Sequence, residues 1–209
     1  MRRKDSRLIE AMRLARQHDP DPPHAFQVAR IAADLFAGLS GLHGLGAPEE
    51  RLLVSASLLH DTGHALRPDA HHKGARDLIM QANLPGFTDR ERSMIACVAR
   101  YHRAKHPQSS HAVYSALEQH DRGIVQKLSA ILRIADGLDR AHAASVKAVA
   151  VAQRERVCRI EIVQRFSSIE DIEGARRKSG LFEEVFGLRV ELIESTSQTN
   201  QDEVKVDES

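Results

Sequence analysis

A mainly α-helical bundle followed by a small α+β unit with an antiparallel sheet is the fold class the sequence predicts. Two observations carry it. Apolar residues recur at the 3.6-residue period up to about residue 143, and β-branched runs replace that period from about Ser145 onward. The expected division is therefore a helical domain over 1–143, an α+β domain over 144–194 and a disordered, polar and acidic tail over 195–209.

From His24, the positions Val28, Ile31, Ala32, Leu35 and Leu39 form one helical stripe, which places His24 on the buried face. Gly38, Gly41, Gly44 and Gly46 break this helix into a loop. Pro48, Glu49 and Glu50 suit the first turn of the next helix, which Leu52, Leu53, Ala56 and Leu59 carry to His60. A histidine-rich connection, Ala65 to Lys73, leads into a short helix through Leu78 and Ile79. Asn83-Leu84-Pro85-Gly86 is a turn, and Thr88-Asp89-Arg90-Glu91 is a capping box. The helix it starts presents Met94, Ile95, Val98 and Ala99 on a face that continues to His102. A long helix from about Asp121 aligns Val125, Leu128, Leu132, Ala135, Asp136 and Asp139 on one stripe. Asp136 is then a carboxylate on a buried face, which is costly unless something positive meets it.

Val146–Val151 and Val157–Val163 read as a hairpin around the polar turn Gln153-Arg154-Glu155-Arg156. The alternation in the second strand puts Cys158, Ile160 and Ile162 on one face, for Leu181 and Val185 to cover. Helical pattern resumes from Ile169 to Phe186, interrupted at Gly174 and Gly180, and Leu188–Ile193 is the last strand.

The formal net charge of +1 argues against a dedicated nucleic-acid binder. No run approaches the roughly 18 apolar residues of a membrane span, and no apolar run follows the charged N-terminus, so a cytoplasmic protein is expected. Cys97 and Cys158 form no CxxC motif and read as buried thiols. Histidine is the outlier, with 12 in the chain. His24, His60, Asp61, His102 and Asp136, all on or beside buried helical faces, need a common explanation. Imidazole nitrogen and carboxylate oxygen gathered from several rigid elements suit one or two divalent ions, Mn²⁺, Fe²⁺, Zn²⁺ or, less readily, Mg²⁺.

The set resembles the HD superfamily of metal-dependent phosphohydrolases, whose motif of His, then His-Asp, then a distant Asp matches His24, His60-Asp61 and Asp136. It is most similar to the HD-like C-terminal half of the exopolyphosphatase and guanosine-pentaphosphatase (Ppx/GppA) family. Leu58-Leu59-His60-Asp61-Thr62-Gly63-His64, His71-His72-Lys73, Leu84-Pro85-Gly86-Phe87, Arg100-Tyr101-His102-Arg103, Leu132 to Arg140 and Leu181 to Gly187 carry that likeness, over about residues 8 to 194. The resemblance implies a helical HD domain with His72 and His102 as the extra histidines of a two-metal site. His71 is an alternative to its neighbour His72. Asp61, with two oxygens, is the catalytic and bridging carboxylate. Lys73, Arg100, Arg103 and Arg133 stand next to expected ligands as candidates for substrate phosphates.

Family members carry N-terminal actin-like ATPase-fold domains that hold the polyphosphate-hydrolysing site, and this sequence starts at the helical domain. Exopolyphosphatase activity is therefore not carried over. The expected function is metal-dependent hydrolysis of a phosphate ester, nucleotide or polyphosphate-like substrate. The competing expectation is a non-catalytic accessory module that binds phosphate, polyphosphate or a nucleotide. The partner is then a phosphorylated small molecule or polyphosphate, with room for a homodimer and none for a membrane.

Overall fold

Ten helices and a three-stranded sheet make up the computed structural model, which describes residues 5–196. The helical part comprises α1 (Ser6–His18), α2 (Pro22–Gly38), the short α3 (Ser40–His43), α4 (Ala47–Leu59), α5 (His71–Gln81), α6 (Asp89–Arg100), the short α7 (Ala112–Ser115) and α8 (Gln119–Gly137). Then follow β1 (Val146–Arg154), β2 (Val157–Gln164), α9 (Ile169–Lys178), α10 (Gly180–Phe186) and β3 (Arg189–Thr196). The first eight helices precede the strands, as the change of period implies. Among the described residues no helix is long and apolar enough to cross a membrane.

Local chemistry accounts for the helix ends. Asp21 caps α2 by accepting from the His24 N–H, and two prolines fill the first turn. The Thr88 capping box is reciprocal: the Glu91 N–H donates to Thr88 Oγ1 at 3.2 Å and the Thr88 N–H to Glu91 Oε2 at 2.8 Å. α8 stops at Gly137 rather than running through Asp139, and the Ala144 N–H donates to Asp139 Oδ1 in the loop beyond.

One core runs through both parts. Val28, Ile31 and Leu35 of α2 and Leu128, Ile131 and Leu132 of α8 meet the buried faces of α4 and α6. Cys158, Ile160 and Ile162 of β2 join the same cluster with Leu181 and Phe182 of α10, which is the sheet face expected. Both cysteines are buried thiols. α2 is tied to β1 directly, because Gln27 Nε2 and Arg30 Nη2 both donate to the Val146 carbonyl, at 2.6 and 2.7 Å.

The sheet departs from the expected all-antiparallel arrangement. β1 and β2 form the antiparallel hairpin, but β3 lies parallel to β2, with Val157 opposite Arg189 and Gln164 opposite Thr196. The reason is the connection. α9 and α10 carry the chain back along the whole length of β2, and a helical crossover of this kind delivers a parallel strand. The hairpin turn also tightens to Glu155-Arg156, with Glu155 at φ 51°, because Gln153 and Arg154 keep pairing although their side chains are exposed. β3 extends to Thr196, beyond Ile193 where the apolar pattern ends. The remainder of the expected tail, 197–209, lies outside the described residues.

Gly174 does not interrupt a helix. It lies inside α9 and allows that helix to touch α8: a Cβ on Gly174 would stand 2.5 Å from the Gly137 carbonyl oxygen. A second contact of the same kind joins the turn after α4 to α5. There a Cβ on Gly74 would stand 2.5 Å from the Gly63 carbonyl oxygen. Both contacts position side chains of the site.

Candidate metal centre

His24, in the first turn of α2, is 2% exposed and held by two neighbours. Its Nδ1 hydrogen-bonds Asp139 Oδ2 at 2.8 Å, and the His142 ring stacks on it with centroids 3.8 Å apart. Nε2 then points at the carboxylates, 3.6 Å from Asp136 Oδ1 and 4.0 Å from Asp61 Oδ2. His60, at the C-terminal end of α4, is fully buried and donates from Nδ1 to the Ser57 carbonyl at 2.7 Å. Its Nε2 lies 3.6 Å from Asp61 Oδ2 and 3.9 Å from Asp136 Oδ1. His102, just past α6, repeats the pattern: Nδ1 donates to the Ala99 carbonyl at 2.6 Å and Nε2 faces Asp61 Oδ1 at 3.6 Å.

In each ring the inner nitrogen is engaged by a carbonyl or a carboxylate, so the outer nitrogen is left facing the cluster. This is the arrangement that orients metal-ligating histidines. His24 Nε2, His60 Nε2 and Asp61 Oδ1 are buried and have no hydrogen-bond partner. Orphaned polar atoms of this kind are costly: the two ring nitrogens converge on Asp136 Oδ1 and Asp61 Oδ2, Asp61 Oδ1 faces His71 and His102, and both places call for a cation or a polar ligand. The residues therefore fit a divalent ion. His24, His60 and Asp136 offer atoms within 4.8 Å of one another, as do Asp61, His64 and His71.

Of the adjacent pair on α5, His71 is the residue that reaches the cluster. It is buried, with Nε2 3.3 Å from Asp61 Oδ1, and its ring stacks on His64 at 4.1 Å. His72, the first choice from sequence, is only half-buried and makes no ion-pair contact with Asp61. The helix begins at His71, and the Gly63–Gly74 contact sets which face of α5 meets Asp61.

The expected phosphate-binding residues divide. Arg103 borders the cleft and approaches His71 Nε2 at 3.2 Å. Arg100 instead lies over the Tyr101 ring at 5.7 Å, and Lys73 is exposed. Arg133 is buried and donates to the carbonyls of Tyr101 and Ala104, at 3.1 and 3.4 Å. It satisfies groups left open where α6 ends, so it is a structural clamp.

Further cations border the cleft. The cleft over the cluster, about 540 Å³, is lined by Asp61, His64, His71, His102 and Asp136 together with Arg103, Arg140, Arg177 and Lys178. Lys178, at the end of α9, pairs with Asp136 Oδ2. This is the positive partner that a buried Asp136 requires. Asp139 is the residue that orients His24. The signal for Lys178 was present in the spacing Gly174 to Lys178, one turn apart on one helix face. It could be read only with Gly137 as the facing partner.

Electrostatics follow the packing. Burial would lower the His24 pKa, but Asp136 and Asp139 outweigh it and raise the value to about 10. Burial likewise opposes ionisation of Asp136, yet Lys178 and His24 hold its carboxyl well below the usual range. Asp61 is held low in the same way, with burial outweighed by His60 and His102. Burial dominates at His71 and His72, lowering both to about 4, and it holds His102 well below the usual imidazole value.

Comparison with known proteins identifies the region that carries the cluster. The profile of the family described as Ppx/GppA phosphatase, domain III, matches residues 7–169, which includes every residue of the cluster and none of α9 beyond its first position. A guanosine-5'-triphosphate,3'-diphosphate pyrophosphatase from Pseudoalteromonas atlantica is 29% identical over 136 residues, covering 65% of this chain. The match takes in 26% of the relative, so the chain corresponds to about a quarter of that protein.

Proposed function

The chain belongs to the Ppx/GppA phosphatase domain III family, and from that premise we propose that it is a divalent-metal-dependent phosphohydrolase unit for a phosphate ester, nucleotide or polyphosphate-like substrate. One observation carries the reading: the buried, unpartnered Nε2 atoms of His24 and His60 converge on Asp136 Oδ1 and Asp61 Oδ2 with their opposite ring nitrogens tied back, and the unpartnered Asp61 Oδ1 faces His71 and His102. The donor set suits Mn²⁺, Fe²⁺ or Zn²⁺ better than Mg²⁺. His24, His60, Asp61 and Asp136 would hold one ion, and Asp61 with His71, His102 and His64 a second. When bound, such an ion supplies a Lewis acid that activates water near neutral pH and offsets phosphoryl charge.

The chain's own groups supply the rest. Asp139 fixes the His24 ring, and the Ser57 and Ala99 carbonyls fix His60 and His102, so the donors need no reorganisation. Arg103, Arg140 and Arg177 border the cleft as cations for phosphoryl oxygens. The nucleotide in the relative's name supports a phosphorylated nucleotide among the substrates to be tried first.

A second reading, an anion-binding module without turnover, is favoured by the Lys178–Asp136 pair, which neutralises one oxygen of the cluster from within the chain. Metal analysis of the purified protein separates the two readings when followed by a Mn²⁺-dependent screen of p-nitrophenyl phosphate, nucleotides and polyphosphate. The expected result is hydrolysis that requires metal and is lost in His60→Ala and Asp61→Ala. Bound metal or anion without turnover on any of these substrates would leave the module.

A further inference from the structure

Asp136 gives its two oxygens to different neighbours. Oδ1 lies 3.6 Å from His24 Nε2 and 3.9 Å from His60 Nε2, whereas Oδ2 takes the Lys178 ammonium. A metal held by this carboxylate and Lys178 therefore draw on the same negative charge, and each weakens the other's claim on it.

Lys178 is held at this place by backbone. Gly174, one turn earlier on α9, touches Gly137, the residue that follows Asp136 on α8. The ammonium can leave Asp136 only by turning its own side chain, because the helix that bears it is pinned. The side chain is 19% exposed and borders the cleft, so it has somewhere to go. Arg140 and Arg177 border the same cleft. Nearby carboxylates are already engaged, Asp139 by His24 and Glu173 by Arg176. Among the described residues neither Arg140 nor Arg177 has a carboxylate within ion-pair distance. Two unneutralised guanidinium groups beside a movable ammonium suit a tetrahedral oxyanion.

We propose that Arg140, Arg177 and Lys178 form an oxyanion subsite, and that Lys178 exchanges between Asp136 and the bound anion, so that anion and metal strengthen each other's binding. The inference rests on the metal reading above and adds a coupling to it. An oxyanion that draws Lys178 away frees Asp136 Oδ2 for the metal. By reciprocity a metal at Asp136 releases Lys178 to the anion by the same factor.

The test is Mn²⁺ titration of the full chain, following free Mn²⁺ by electron paramagnetic resonance. It is run in sodium sulfate and in sodium chloride of matched ionic strength, with no substrate present. For the wild type, sulfate should tighten Mn²⁺ binding about five-fold or more. Lys178→Met should bind Mn²⁺ more tightly than wild type in chloride and gain nothing further from sulfate. Arg140→Met and Arg177→Met should lose the sulfate effect while keeping the wild-type Mn²⁺ affinity in chloride. Lys178→Gln replaces the methionine variant if melting curves show that the latter is unfolded. Equal Mn²⁺ affinity in wild type and variant in both salts overturns the exchange and leaves the metal reading standing. Weaker Mn²⁺ binding by the lysine variants overturns it as well, by making Lys178 a support for Asp136. No Mn²⁺ binding by any folded form removes the metal reading itself.

Discussion

Asp139 Oδ2 and His24 Nδ1 meet at 2.8 Å across the junction of α2 with the loop after α8, and both side chains are almost completely buried. The carboxylate therefore decides which nitrogen of His24 faces Asp136 and Asp61.

Asp139→Asn keeps the size of the side chain but can present an amide N–H to the ring, which permits the wrong orientation. Mn²⁺ affinity should fall by about 10-fold to 100-fold, the usual cost of losing a group that orients a ligand. Isothermal titration of the variant against wild type measures it. Unchanged affinity would show that the stacked His142 ring alone is enough to hold His24.

Gly74→Ala should destabilise the fold by about 3 kcal/mol, because the new methyl group meets backbone rather than a side chain that can swing aside. Gly123, inside α8, is the internal control: a Cβ there meets nothing within 4 Å. Gly123→Ala should stabilise by about 0.5–1 kcal/mol through helix propensity alone. Urea unfolding of both variants provides the comparison, and a neutral Gly74→Ala would mean that α5 can draw back from Gly63.

Stability of the metal-free protein should fall on both sides of neutrality, for different histidines. His24, raised to about 10 by Asp136 and Asp139 against its burial, adds stability that is complete below pH 6.5. That contribution is lost as pH climbs through about 10. His71 and His72, lowered to about 4 chiefly by burial, act in the opposite sense. The unfolded chain takes up their protons from pH 6.5 downward and the folded chain does not, so stability drops between pH 6.5 and 4. Melting curves in chelator across pH 4–10 should show both limbs. His24→Gln should flatten the alkaline limb and His71→Gln the acid one.

Asp61→Asn should abolish the metal response. At a Mn²⁺ concentration 100 times its dissociation constant, the wild type should gain about 2.7 kcal/mol, and the variant should gain none. Differential scanning calorimetry with and without Mn²⁺ reads this directly. A variant that still responds fully would reassign the ion to His24, His60 and Asp136 alone.

The residues legible in the sequence are those whose placement depends on one helix. His24, His60, His102 and Asp136 lie on apolar stripes or at their ends, and the stripe itself turns them inward. His71 and His72 could not be separated that way. The choice depends on where α5 starts and on how Gly74 seats against Gly63, which are properties of two segments together. Arg133 shows the opposite limit. It lies one turn before Asp136, yet its side chain reaches past that stripe to the open carbonyls of Tyr101 and Ala104. Lys178 is not legible from α9 alone, since nothing local to that helix reveals that Asp136 lies across from it. The direction of β3 was readable in principle, because a helical return between strands implies a parallel neighbour.

That parallel strand also orders events in time. β2 gains its second neighbour only after α9, α10 and β3 have left the ribosome, so the α+β unit closes last. Before α9 emerges, a nascent helical bundle carries His24, His60, Asp61 and Asp136 but not the lysine that balances Asp136. The carboxylates must wait in water or hold a cation taken from the surroundings. Synthesis of α9 is thus the step at which the chain supplies its own counter-charge, and the final strand then completes the sheet.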